Sequence, residues 1–208
     1  MTRTMKPARR SLMTRSALGL ALALGVFAGG VTVSSPALAA KKPSFSFTKP
    51  FQAVAGPAQK AIDEAGKRAD VVAATQKAVA AEQAASQTRT KAARDQANAA
   101  VDAAVAELGG LLTNEKGLLE TAYAAIGNED DRFLAGNLAL SLGGTARDIG
   151  LQRRGLQSML QSGKTSEADV GKFNFYVGRF SLALQDYPAA ISAFQAAIGA
   201  GYRENGVD

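Results

Sequence analysis

The stretch FNFYVGRFSLALQDYPAAISAFQAAIGAGY, residues 173–202, reads as two amphipathic helices joined by a tight turn. Gln185-Asp186 interrupts the apolar period, and Asp186 suits a helix N-cap because its carboxylate can accept from backbone N–H groups of the following turn. Sliding the chain along itself until Phe133 falls on Phe175 also pairs Gly136 with Gly178, Leu140 with Leu182, Leu142 with Leu184 and Ile149 with Ile191, without a gap. Two helical hairpins of one pattern are therefore expected, in which glycine lets the paired helices approach and leucines one turn onward fill the seam.

Working outward, the spacing predicts helices over 111–126, 130–142, 146–160, 166–184 and 188–200, broken at Gly127-Asn128, Gly143-Gly144, Ser162-Gly163-Lys164 and Gln185-Asp186. Gly and Asn accept the left-handed conformation that ends a helix, and Ser166 and Asp186 can cap the next one. No segment alternates as a strand does. Between Pro57 and Leu108 the composition shifts to alanine with interspersed charges and glutamines, which predicts one long helix starting at Pro57 and stopping at Gly109-Gly110. A heptad seam through Ile62, Ala65, Ala69, Val72, Gln76 and Val79 runs into Gln83, Ser86 and Thr90, and the later stripe Val101, Val105, Leu108, Leu112 has another phase. A continuous two-stranded coiled coil is thus not specified. The fold class expected is all-α, a long Ala-rich helix over 57–108 followed by a hairpin module over 111–208.

The second hairpin carries a family signature. Val177-Gly178, Asp186-Tyr187, Ala190-Ile191, Phe194 and Ala197-Ile198 resemble the tetratricopeptide repeat over 173–202, with a divergent copy around 130–160. Asn174, Ser181 and Tyr202 depart from the family's pattern, and Asp148 replaces a small residue in the first copy. The offset from Phe133 to Phe175 also exceeds the family's usual repeat length of about 34 residues. The resemblance implies a helical-hairpin solenoid that binds a protein or peptide on the face formed by the first helix of each pair. The positions it assigns there are Lys172, Phe175, Arg179 and Leu182, and Phe133, Asn137 and Leu140 in the divergent copy. The bland alternative is that the phenylalanines pack inside their hairpins. The chain stops at Asp208, where a further repeat's first helix would begin, so a longer solenoid is expected.

At the other end, Arg3, Lys6, Arg9, Arg10 and Arg15 precede an apolar run from Ala17 to Ala28 and the small-residue site Ala37-Leu38-Ala39. This is the order of a cleaved signal peptide over 1–39, giving a mature start at Ala40 and a periplasmic or secreted bacterial protein. An uncleaved anchor is the alternative, since Ser16 to Ala40 carries no charge. Arg9-Arg10-Ser11-Leu12-Met13 also resembles a twin-arginine signal, so either export route fits. The segment 40–56 holds Pro43 and Pro50, ends just before Pro57, and alternates Phe45, Phe47 and Phe51 with polar residues, so it reads as a flexible tether.

Composition removes much chemistry. The chain has 208 residues with no His and no Cys, so it cannot build a Ser-His or Cys-His nucleophile, a thiolate zinc site or a disulfide framework. The net charge of +6 hints at nucleic acid, but without the five leader cations 19 basic residues face 18 acidic ones, and that hint disappears. Glu129-Asp130-Asp131 lacks the ordered oxygen ligands of a calcium loop and suits a helix's first turn instead. Arg147, Arg153 and Arg154 read as a solvated helix face. No catalytic, cofactor or metal residues are assigned. The expectation is a non-catalytic envelope scaffold with a protein or peptide partner, no nucleic acid and membrane contact only through an uncleaved leader. Its rivals are a spacer that oligomerises through the Ala-rich helix and a helical cell-wall hydrolase using a lone carboxylate.

Overall fold

The computed structural model describes residues 45–203, so the expected leader, the first residues of the tether and the last five residues lie outside it. The described residues form eight helices and no strands: α1 Lys49–Ala65, α2 Ala69–Gln87, α3 Lys91–Leu111, α4 Thr113–Ala124, α5 Glu129–Thr145, α6 Ile149–Gln161, α7 Glu167–Ala183 and α8 Tyr187–Gly199. The fold is all-α.

The Ala-rich region is not one helix. Its first part belongs to α1, which begins at Lys49 rather than Pro57, with Pro50 in the first turn and Pro57 inside. Pro50 costs nothing there, because first-turn N–H groups lack helical partners anyway. The chain breaks at Gly66–Arg68, where Arg68 turns to extended backbone and its guanidinium donates to Asp70, to the Leu111 carbonyl at 2.9 Å and to Glu115 at 3.0 Å. A second break falls at Thr88–Thr90, with the Thr90 hydroxyl capping Ala93 N–H. β-Branched hydroxyl residues compete for backbone hydrogen bonds and so locate breaks within alanine-rich sequence. Hence α2 and α3 fold back on each other as an antiparallel hairpin, with Val71, Ala74 and Ala78 buried on one helix and Ala104 and Leu108 on the other. Lys77 and Glu107 pair across them at 2.5 Å. Val72, on the expected seam, is 39 % exposed instead. Residues 79–103 include no buried side chain, so this end of the hairpin stands clear of the core.

The tether expectation also fails over 45–56. Phe51 is fully buried with Ala55 under Ala122 and Ala135, and the extended segment before α1 is fastened to α5. α1 lies antiparallel to α4: Thr48 at its start touches Gly127 beyond the end of α4, while Arg68 past its end reaches Glu115 in α4's first turn. The α2–α3 hairpin is thus inserted between two helices that pair with each other. Three pairs follow in space, α1 with α4, α5 with α6 and α7 with α8, around two main apolar clusters.

The last two pairs repeat in a shorter register than the one that sets Phe133 on Phe175. Glu129 and Thr145, the ends of α5, correspond to Glu167 and Ala183, the ends of α7. By the same offset Ile149 and Gln161 of α6 fall on Tyr187 and Gly199 of α8, and the N-caps Asn128 and Asp148 recur as Ser166 and Asp186. Left-handed Arg147 and Gln185, with φ of 52° and 61°, match in the same way, as do Gly163 and Gly201. Asp148 N–H reaches the Gly143 carbonyl at 2.8 Å and Asp186 N–H the Ser181 carbonyl at 2.9 Å, the bond pattern of a helix closed by a left-handed residue. Gly109-Gly110 and Gly143-Gly144 therefore do not stop helices. Gly143 is buried where a Cβ would meet the Gln152 backbone nitrogen at 2.7 Å, so glycine there serves close packing.

Candidate binding surface

α5 and α7 place equivalent residues on equivalent faces. In the register of the caps, Leu134, Asn137, Ser141 and Gly144 of α5 correspond to Lys172, Phe175, Arg179 and Leu182 of α7. Asn137, Ser141, Gly144 and Leu182 are exposed, and the other four are half-buried. Members of the row are spaced by three or four positions along each helix, which keeps them on one face. Leu134 also lines an open apolar groove of about 270 Å³ against α1, with Phe47, Phe51, Gln52, Ala55, Gly56 and Gln59.

Two of the seven sequence-assigned positions leave this surface. Leu140 is 4 % exposed and belongs to the core between α5, α6 and α7, because the true register aligns it with Gly178 and not with Leu182. Phe133 stacks on Phe45 with ring centroids 5.5 Å apart, and Phe45 stacks on Phe47 at 5.9 Å, so the chain's own N-terminal segment occupies its face. Phe175 lies among Tyr176, Phe194 and Tyr202, at centroid distances of 5.6, 5.8 and 5.0 Å, and closes the α7–α8 hairpin. The Arg179 guanidinium sits 5.8 Å from the Phe175 ring, within cation–π range. Lys172, Arg179, Leu182 and Asn137 remain accessible for contact, with Phe175 as their support.

The acidic run does something the sequence did not announce. Asp131, fully buried, accepts from Thr48 N–H at 3.0 Å, Thr48 Oγ1 at 2.6 Å and Gly127 N–H at 2.9 Å. Asp130 accepts from Ser46 N–H at 2.8 Å and pairs with Lys164 at 3.0 Å, and the Ser46 bond, aided by Lys164, holds its carboxyl below the usual carboxylate range. Asn128 closes the latch, donating to the Ser46 carbonyl at 2.7 Å while capping Asp131 N–H at 2.8 Å. These partners are distant in the chain, so no local motif could have revealed them.

The three arginines are also paired internally. Arg147 binds Glu82 of α2, Arg153 binds Asp186 at 2.8 Å, and Arg154 binds Glu120 while lying 3.8 Å over the Tyr123 ring. An open groove of about 460 Å³ runs past Arg154, Tyr123 and Arg132. Burial pushes the Tyr123 hydroxyl above its ordinary value. Among the described residues no three of His, Cys, Asp and Glu gather as metal ligands, and no helix is long and apolar enough to cross a membrane.

Comparison with family models, with curated proteins and with solved structures finds no match to this chain.

Proposed function

We propose that the chain is a non-catalytic, tetratricopeptide-like scaffold of the bacterial cell envelope that binds a protein or peptide along α5 and α7. The observation that carries this reading is the accessible row on two helices in one register, Asn137, Ser141 and Gly144 beside Lys172, Arg179 and Leu182. Such a row offers amide, hydroxyl, cationic and apolar contacts on a face braced from behind by the hairpin cores. The leader, the cleavage after Ala39 and the envelope location belong to the same proposal and rest on sequence. The rival spacer needs a free seam on a long helix, whereas α2 and α3 turn theirs toward each other.

Capture from envelope extracts with the full chain, wild-type and Arg179→Glu/Leu182→Asp side by side, tests the reading. A partner retained by the wild type and lost by the variant, with unchanged helical circular dichroism, supports it. Equal capture by both folded proteins overturns it.

A further inference from the structure

α8 is a surface helix without a charged side. From Tyr187 to Tyr202 the chain has no Asp, Glu, Lys or Arg, and Tyr187, Ile191 and Ile198 are 48, 60 and 65 % exposed. Leu184 of the preceding turn extends the patch. A helix hydrophobic on its outward face is ordinarily covered. The register says how: Tyr187 and Ile198 match Ile149 and Leu160, which pack half-buried against the cluster that the next pair completes, and Ile191 matches Arg153, which bonds to Asp186 of that pair.

We infer that α8 packs on α8 of a second copy of this chain, forming a two-fold dimer. Three observations favour a second copy over another occupant. Among the described residues the large apolar side chains exposed outside α7–α8 are Phe45 and Val72, which lie on different elements, and the groove beside α1 is lined partly by Gln52 and Gln59, so the described residues present no second extended apolar face for head-to-tail stacking. A two-fold contact sets each group near its own copy, where a charge would meet a like charge, and α8 carries none from Tyr187 to Tyr202, the carboxylate of Asp186 at its cap being paired with Arg153. Its central polar side chain, Gln195, carries both donor and acceptor and can bond its own mate. The patch exposes on the order of 500 Å² per copy, so pairing buries about 1,000 Å², the lower end for a specific interface, and dissociation in the micromolar range follows. With Ile191 of each copy against Ile198 of the other, the axis passes beside Gln195.

Sedimentation of the full chain at about 10–100 µM, a range that brackets such an affinity, reads this out. The expected result is twice the chain mass, falling to the single-chain mass in Ile191→Asp/Ile198→Asp with helical circular dichroism retained. Because the chain has no cysteine, Gln195→Cys supplies a second reading: oxidation should give a disulfide-linked dimer that Lys60→Cys, an exposed position of α1, does not. A wild type that stays monomeric throughout, a dimer that survives the double substitution, or equal cross-linking of both cysteine variants overturns the inference.

Discussion

Asp131→Ala should be among the most destabilising substitutions in this chain, and the geometry sets the size. The carboxylate is fully buried and accepts three hydrogen bonds, two of them from the Thr48 and Gly127 backbone N–H groups. Hydrogen bonds to a charged acceptor contribute about 1.5–3 kcal/mol each, and they do not add, because the Thr48 hydroxyl can turn toward other acceptors. Two stranded, partly buried donors at about 1–3 kcal/mol each bound the loss at about 2–6 kcal/mol. The carboxylate also stands in the first turn of α5, where the helix dipole favours it, so Asp131→Asn should recover only part of the loss. Urea unfolding followed by circular dichroism measures it: with a slope of about 1–3 kcal/mol per molar, the midpoint should move by about 2 M. Thr48→Val tests the cause, since in the Asp131→Ala background it should cost much less than in the wild type. A loss below about 1 kcal/mol for Asp131→Ala would refute the claim that residues 45–48 are a fixed part of the fold.

Other outcomes follow from single contacts. Gly155→Ala would place a Cβ 2.6 Å from the Gly136 carbonyl and the Leu140 nitrogen, backbone atoms that can move only by parting α5 from α6, so a loss of about 2–3 kcal/mol is expected in a thermal melt. Gly178→Ala meets the Phe194 ring at 2.7 Å, a side chain that can rotate, and should cost less. Gln185→Gly should stabilise by about 0.5–1 kcal/mol by removing a left-handed side chain that is exposed, whereas Arg147→Gly gains the same relief but loses the Glu82 pair and should destabilise. Because Asp130 is held below its ordinary 3.8, the stability it contributes is whole above that pH and is lost as pH falls through the folded value; Asp130→Asn should abolish that component of acid unfolding.

The helices from residue 111 onward were legible because their boundaries are written in local chemistry. Ser166 and Asp186 stand at N-caps as expected, and Asn128, Asp148 and Asp186 accept from the backbone of the first turn, although Asp148 falls inside the helix expected over 146–160. The Ala-rich region was not, since alanine favours helix equally everywhere and cannot say where one ends. Its break at Arg68 exists because Glu115 and the Leu111 carbonyl, far along the chain, await the guanidinium. Glycine misled: the pairs at 109 and 143 looked like stops, yet both lie within helices.

The same distinction explains the binding surface. Matching phenylalanine and glycine identities set Phe133 on Phe175, while the caps and left-handed turns, fixed by backbone geometry, set Asn137 there instead. Identity at a packing site is a poor ruler, because a seam can put its glycine on either helix: Gly178 of α7 faces Phe194, whereas at the α7-equivalent position α5 carries Leu140 and the glycine sits opposite, at Gly155. The difference is about one helical turn, enough to keep Asn137 on the exposed row while sending Leu140 into the core. Phe133 escaped for a different reason, since the ring that covers it, Phe45, comes from a segment whose prolines read as tether. What an exposed face binds is therefore best sought where the register leaves side chains outward on both α5 and α7, and the apolar face of α8 best read by what covers its counterpart one pair earlier.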